Sequence, residues 1–143
     1  MSEEILGIFP GLIPRGFMKV WNCMLVFTTT RLILAKDKRS YFSSVYLDPY
    51  YISSHTSAPE RLKMKERSAQ DILKADAENF EIPYSDITAL EVTQARIPET
   101  RGFYLEIYIG ELNAPKHRIR VCLKEKYFDI FKEFLRTILP EKI

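Results

Sequence analysis

Residues 80–92, FEIPYSDITALEV, place a proline and a Tyr-Ser-Asp triplet between two strand-like runs. Side chains alternate before the proline, but Pro83 has no amide to donate and is therefore expected at the edge or the end of a strand. The side chains of Ser85 and Asp86 can accept hydrogen bonds from following amides. The stretch predicts a strand that stops, a short turn, and a second strand that begins with Ile87 as a buried plug.

Downstream of this turn the apolar pattern becomes regular. Residues 103–109, FYLEIYI, and 118–123, RIRVCL, alternate apolar and polar side chains, which predicts two half-buried antiparallel strands. The period then changes, and apolar side chains recur at helical spacing from about Glu125 to Leu139. Pro140 disfavours helical geometry in the residue before it. We therefore predict an amphipathic C-terminal helix with one face buried.

Upstream, residues 16–36, GFMKVWNCMLVFTTTRLILAK, are rich in the apolar and β-branched residues typical of strands. The threonine triplet Thr28, Thr29 and Thr30 lies between two apolar runs, and its hydroxyls can bond local backbone amides. This predicts a hairpin turn that joins two strands.

Residues 37–79 form an insertion between these strands and the turn at Pro83. Residues 37–59 carry serine, tyrosine and proline without clear periodicity, which predicts a long loop. Ser68 followed by Asp71 resembles a capping box, with Asp in place of Glu or Gln, so a helix is expected to restart near Ala69. The segment is therefore predicted to form one broken helix or two short ones.

Two local sequences resemble a known superfamily. Residues 25–34, LVFTTTRLIL, and 82–92, IPYSDITALEV, are similar to segments of the pleckstrin-homology-like (PH-like) superfamily, as in GRAM and prokaryotic PH-like domains. The resemblance extends from about Gly16 to Leu139. It implies a mainly β fold with helices (α+β): an antiparallel barrel, or two curved sheets, capped by the C-terminal helix. The helical insertion before the middle strands departs from that compact pattern.

Length and composition limit the class of protein. A chain of 143 residues is the size of one ordinary domain, so we expect a single domain over residues 1–143. With 46% hydrophobic and 28% charged residues, the composition is that of a soluble globular protein. The formal charge of +2, from 21 basic and 19 acidic residues, is too close to neutral for affinity that rests on a nucleic-acid backbone.

The cysteines and the N-terminus favour a cytoplasmic protein, with any membrane contact peripheral. Cys23 and Cys122 lack the spacing of a metal site or a redox pair, which indicates a reducing compartment, and a long-range disulfide is the alternative. The N-terminus is acidic, and its apolar run ILGIFPGLIP, residues 5–14, is interrupted by proline and glycine, unlike a secretory signal. No uncharged run reaches the roughly 18 residues that span a bilayer.

Candidate catalytic residues are few. His55 lies in a serine-rich segment and His117 in a basic hairpin, and neither has an acidic or cysteine neighbour at ligand spacing. No Gly-x-Ser-x-Gly motif surrounds the serines near His55. We therefore predict that the protein is not an enzyme, with no catalytic residue, cofactor or metal site. Trp21 is interpreted as a core residue.

The outward face of the two C-terminal strands interleaves aromatic and charged residues, as platforms for single-stranded nucleic acid do. These residues are Tyr104, Tyr108, Arg118 and Arg120. Glu106 falls in the same row and is expected to pair across the strands with Arg118 or Arg120, so we interpret the surface as a solvated face. Two arginines beside a thiol are a setting that can lower its pKa, but we interpret Cys122 as a bystander with no reactive role.

Three functions stay open. The first is a non-catalytic module that binds a protein or peptide at a sheet edge or beside the C-terminal helix. The second is peripheral binding of anionic lipid by a group that we call the basic set: Arg15, Lys19, Lys36, Lys38 and Arg39. The third is a barrel that binds single-stranded nucleic acid. The terminal helix argues against the third function and the near-neutral charge against the second, so the first is favoured. The sequence does not fix the identity of the partner or the oligomeric state.

Overall fold

The computed structural model describes residues 3–15, 20–36, 68–94, 102–111 and 114–143. In these residues the chain is mostly antiparallel sheet, with one short helix and a longer C-terminal helix. The elements, in chain order, are β1 Ile5–Pro14, β2 Val20–Thr28, β3 Arg31–Lys36, α1 Ala69–Lys74, β4 Phe80–Pro83, β5 Ile87–Gln94, β6 Gly102–Glu111, β7 Ala114–Lys124 and α2 Phe128–Ile138.

The seven strands follow the order β4-β3-β2-β1-β7-β6-β5. The predicted class, a mainly antiparallel β fold with a C-terminal helix, is confirmed. The expected barrel is not formed in the described part of the chain, because β4 and β5 end the strand order and do not pair with each other. The middle of the predicted insertion, residues 37–67, lies outside the described residues.

The chain divides into two compact units. The first contains Met1–Pro10 and Asn22–Tyr84, and the second contains Gly11–Trp21 and Ser85–Ile143. Strand β1 contributes its first part to one unit and its last part to the other. The expectation of a single domain stays a prediction.

The first unit is built on the β2–β3 hairpin, in which Phe27 pairs with Leu32. The predicted threonine turn is confirmed, because β2 ends at Thr28 and β3 begins at Arg31. The Thr28 hydroxyl oxygen accepts hydrogen bonds from the backbone N–H groups of Thr30 at 3.2 Å and Arg31 at 3.0 Å. The side chain therefore satisfies two amides that the ladder does not use.

Sequence reasoning missed that Glu3 joins this turn. Its Oε2 atom accepts from the hydroxyls of Thr28 at 2.6 Å and Thr30 at 2.7 Å and from Nε of Arg31 at 3.0 Å. Arg31 also pairs with Glu81. Burial alone would raise the pKa of the Glu3 carboxyl, but the hydrogen bonds from Arg31, Thr28 and Thr30 outweigh it, so the pKa lies below its ordinary value.

The predicted helix start at Ser68 is confirmed. The Ser68 hydroxyl accepts from the backbone N–H of Asp71 at 3.1 Å, and α1 begins at Ala69. The buried face of α1 joins a core cluster of Ile5, Ile8, Met24, Val26, Ile33, Ala35, Ala69 and Ile72. This cluster includes residues of β1, which the sequence had presented as an apolar segment interrupted by proline and glycine.

The predicted interruption after β4 is also confirmed. The strand ends at Pro83, a single 3-10 turn spans Tyr84–Asp86, and β5 begins at the buried Ile87. Proline has no backbone N–H to donate to a neighbouring strand. As the last residue of an edge strand, Pro83 therefore interrupts no hydrogen bond of the sheet.

The hydrogen bonds of this turn come from a residue that was not expected to make them. The Tyr84 backbone N–H donates to the carbonyl of Thr30 at 3.2 Å, and its hydroxyl donates to the carbonyl of Thr28 at 2.5 Å. Among the described residues, the side chains of Ser85 and Asp86 make no hydrogen bond and are exposed. The prediction that they supply the turn's bonds is wrong.

The second unit joins β5, β6 and β7 to helix α2. The predicted alternation is confirmed in part: Phe103, Leu105 and Ile107 are buried, but Glu106 between them is buried as well and Ile109 is half-buried. A 3-10 turn, Glu125–Tyr127, leads into α2, so the helical segment occupies the predicted range. The buried face of α2 packs on this side of the sheet, and the ring centroids of Phe131 and Phe103 lie 5.6 Å apart.

Candidate functional site

Strand β5 ends the strand order on its side, and among the described residues no strand pairs with its outer edge. It pairs with β6 without interruption from Ala89 to Gln94, and no other described strand pairs with its opposite side. The N–H of Leu90 donates away from β6, to the Lys142 carbonyl at 2.8 Å. Backbone groups of alternate residues point to opposite sides of an antiparallel strand, so those of Val92 also point away from β6.

The Lys142 carbonyl reaches this edge because the chain turns after α2. The N–H of Leu139 donates to the carbonyl of Leu135 at 2.8 Å, and the N–H of Lys142 donates to the carbonyl of Leu139 at 3.1 Å. Leu139 is buried and anchors the turn. A backbone carbonyl from outside the sheet therefore already binds the outer edge of β5 at one position.

A groove of about 300 Å³ lies between β5 and the exposed side of α2. Its lining residues are Leu90, Glu91, Val92, Thr93, Lys132, Arg136 and Ile143. The groove thus combines apolar side chains with a strand edge at which, in the described residues, the Lys142 carbonyl binds only the Leu90 N–H. Extended peptides use this combination when they add to a sheet.

The groove has two cations on its helical wall. Lys132 and Arg136 are four residues apart and therefore lie on one face of α2. Nζ of Lys132 lies 4.9 Å from the ring centroid of Phe128, and neither cation forms an ion pair within the described residues. Glu91, the acidic residue of the lining, lies 3.0 Å from the Tyr108 hydroxyl, whose single proton it shares with Glu106.

Behind Glu91, the outward face of β6 and β7 carries a hydrogen-bonded network. The Tyr108 hydroxyl lies 2.7 Å from Glu106, which also accepts from Nη2 of Arg120 at 2.6 Å. These bonds, from Tyr108 first and then Arg120, hold the pKa of Glu106 below its ordinary value, although burial opposes them. Its hydrogen bonds to Glu106 and Glu91 raise the pKa of Tyr108 to about 12.

This network confirms the predicted pairing of Glu106 with Arg120, but Glu106 is only 8% exposed and the face is not simply solvated. Arg120 lies 5.0 Å from the ring centroid of Tyr104. The arginine is thereby fixed between a carboxylate and a ring. The arginines do not lower the pKa of the Cys122 thiol: burial raises it, and Arg120 offsets only part of the effect.

The structure describes two members of the basic set. The Arg15 guanidinium lies 4.4 Å from the centroid of the Trp21 ring, and Trp21 itself is buried, as predicted. Lys36 lies 4.0 Å from a carboxylate oxygen of Glu78, an exposed pair. Arg15 and Lys36 thus have partners within their own units. The other members, Lys19, Lys38 and Arg39, lie outside the described residues.

Two histidines are the candidate catalytic residues of the sequence. His117 is exposed on β7, and His55 lies outside the described residues. In the described part of the chain, no cluster of three or more His, Cys, Asp or Glu side chains has the arrangement to hold a metal ion. Cys23 and Cys122 are free thiols.

None of the helices in the described ranges is long and apolar enough to cross a membrane. Comparison with protein-family models, with curated proteins and with solved structures gives no match.

Sequence reasoning placed a ligand at a sheet edge or beside the terminal helix, but it did not name the residues of the groove. Lys132 and Arg136 could have been found, because they lie opposite the predicted apolar face of the helix at a spacing of four residues. The identity of the edge strand could not, since strand order depends on contacts between segments distant in sequence.

Proposed function

We propose that this chain is a non-catalytic PH-like interaction module that binds an extended peptide of a protein partner along β5, beside α2. The PH-like assignment rests on the resemblance of residues 25–34 and 82–92. It is supported by the element order, seven strands followed by one terminal helix.

One observation carries the binding proposal: the Leu90 N–H donates outward to a carbonyl that is not part of the sheet. An added strand would use the same kind of bond at the next outward position, Val92. Main-chain bonds of this kind give affinity, and side chains of the added strand at alternate positions enter the groove and give specificity.

The experiment is a selection from a displayed library of random decapeptides against the immobilised protein. A selected peptide is then synthesised with a fluorescent label, and its dissociation constant is measured by anisotropy. We expect binding in the micromolar range, and the amide resonances of β5 are expected to shift on titration in a nitrogen-proton correlation spectrum.

The decisive variant is Val92→Pro. It removes one outward N–H without removing a bond to β6, and proline is tolerated at that kind of position. Val92→Ala is the matched control, because it shortens the side chain but keeps the amide. We expect Val92→Pro to weaken binding by about tenfold relative to Val92→Ala, as the loss of one unreplaced hydrogen bond implies. Equal affinity of the two variants, with both folded, would refute strand addition at β5.

A further inference from the structure

The two cations on the helical wall of the groove point to the chemistry of the peptide. We infer that the bound peptide carries an aspartate or glutamate side chain opposite Lys132 and Arg136. This inference rests on the proposed peptide binding at β5 and adds the class of peptide that is recognised.

The charge balance of the groove supports this class. The side chains of its lining carry two cations and one carboxylate, that of Glu91, which lies 3.0 Å from the Tyr108 hydroxyl. This hydroxyl has a single proton and lies closer to Glu106, at 2.7 Å, so Glu91 does not hold that proton alone. Within the described residues no acidic side chain pairs with Lys132 or Arg136. Elsewhere in the same unit the arrangement differs: Arg120 and Arg118 lie 2.6 Å and 3.9 Å from Glu106.

The geometry of a strand added along β5 also supports an acidic side chain in the peptide. Side chains of an added strand alternate between the two faces of the sheet, so every second one would point toward α2. Arg136 presents a planar fork of donors that fits a carboxylate, and Lys132 adds a point charge one helical turn away.

Arg136 can also stabilise α2 itself, and this role must be distinguished from recognition of an acidic peptide. It lies in the last turn of α2, where a cation interacts favourably with the helix dipole. That role predicts a change in helix stability on substitution, but no change in the kind of peptide that binds.

The test repeats the decapeptide selection with the double variant K132E/R136E and with the matched control K124E/K126E, which reverses two exposed cations outside the groove lining. We expect the wild type and the control to enrich Asp and Glu at one peptide position. We expect the groove variant to enrich Lys and Arg at that position instead. For one selected peptide, replacing the acidic residue by its amide is expected to weaken binding to the wild type by about two- to fivefold, the range of one exposed ion pair.

A double-mutant cycle completes the test. If the peptide's carboxylate contacts the groove cations, its replacement by the amide changes affinity for wild type but not for an R136Q/K132Q variant. Peptides that bind without an acidic preference would overturn the inference and leave strand addition in place. The inference would also be overturned if the control variant K124E/K126E failed to enrich acidic peptides. The net charge of the protein, and not the two cations of the groove, would then select them. Failure to select any peptide would overturn the proposed function and the inference together.

Discussion

Replacing Phe131 by Ala tests the packing of α2 on the sheet. Phe131 is 0% exposed, and its ring packs against the ring of Phe103. Removing a fully buried phenylalanine costs about 3 to 5 kcal/mol, because the transfer free energy and the cavity left behind add. The lost contact between two rings contributes about 0.5 to 1.5 kcal/mol of that, and the better helix propensity of Ala returns less than about 1 kcal/mol.

Urea denaturation followed by tryptophan fluorescence measures this loss. The chain has one tryptophan, Trp21, and it belongs to the same compact unit as Phe131. With a denaturant slope of about 2 kcal/mol per molar, we expect the midpoint to fall by about 2 M. Ile130→Ala is the control, because Ile130 is 38% exposed on the same helix and its loss is expected to stay near 1 kcal/mol or below. A loss under about 1 kcal/mol for Phe131→Ala would mean that this face of α2 is not part of the core.

The remaining predictions concern the threonine turn, acid stability, catalysis and lipid. Thr28→Val is expected to cost about 1 to 3 kcal/mol, because the backbone amides of Thr30 and Arg31 and the Glu3 carboxylate lose the hydroxyl. Thr93→Val on the exposed side of β5 is expected to stay within about 0.5 kcal/mol, and equal costs would contradict the role of the turn. The folded-state pKa of Glu3 lies below its unperturbed value of 4.5, so its contribution is present above that pH and lost as pH falls through the folded pKa. Between pH 6 and pH 2 the unfolding temperature is therefore expected to fall less in Glu3→Gln than in the wild type. An equal fall in both proteins would contradict the stabilising role of the Glu3 carboxylate. We expect no hydrolysis of esters, phosphate esters or peptides, and turnover abolished by His55→Ala or His117→Ala would show that expectation to be wrong. We expect little sedimentation with phosphatidylserine vesicles at physiological salt and at most a weak, salt-sensitive fraction at low salt. Strong binding that disappears on charge reversal of Arg15, Lys19, Lys38 and Arg39 would instead favour the lipid function.

Helix caps, turns and strand ends could be predicted from the sequence, because each depends on residues that are close together in the chain. The cap at Ser68, the threonine turn after β2 and the strand end at Pro83 each depend on hydrogen bonds between residues a few positions apart, or on the absence of one donor. The terminal helix was predictable for the same reason, since apolar residues recur with a 3.6-residue period within one continuous segment.

Contacts between distant segments could not be predicted in this way. Strand β1 was missed because proline and glycine indicated a broken segment, yet the buried side chains of Ile8 and Phe9 pack in the core. The bonds from Glu3 to Thr28 and Arg31 join residues 25 and 28 positions apart, and no local pattern specifies them. The candidate site depends on the same kind of information, because its definition requires knowing that β5 ends the strand order.

The two strands that end the sheet order are expected to differ in how well they resist edge-to-edge association. β4 has four residues and finishes in a proline, which ends any further ladder at that edge. β5 has eight residues, and in the described chain a single outward donor, that of Leu90, is occupied. A second copy of the protein can use such an edge as readily as a peptide can. In concentrated solution we therefore expect edge-to-edge association to proceed through β5, and Val92→Pro to give the more monodisperse preparation.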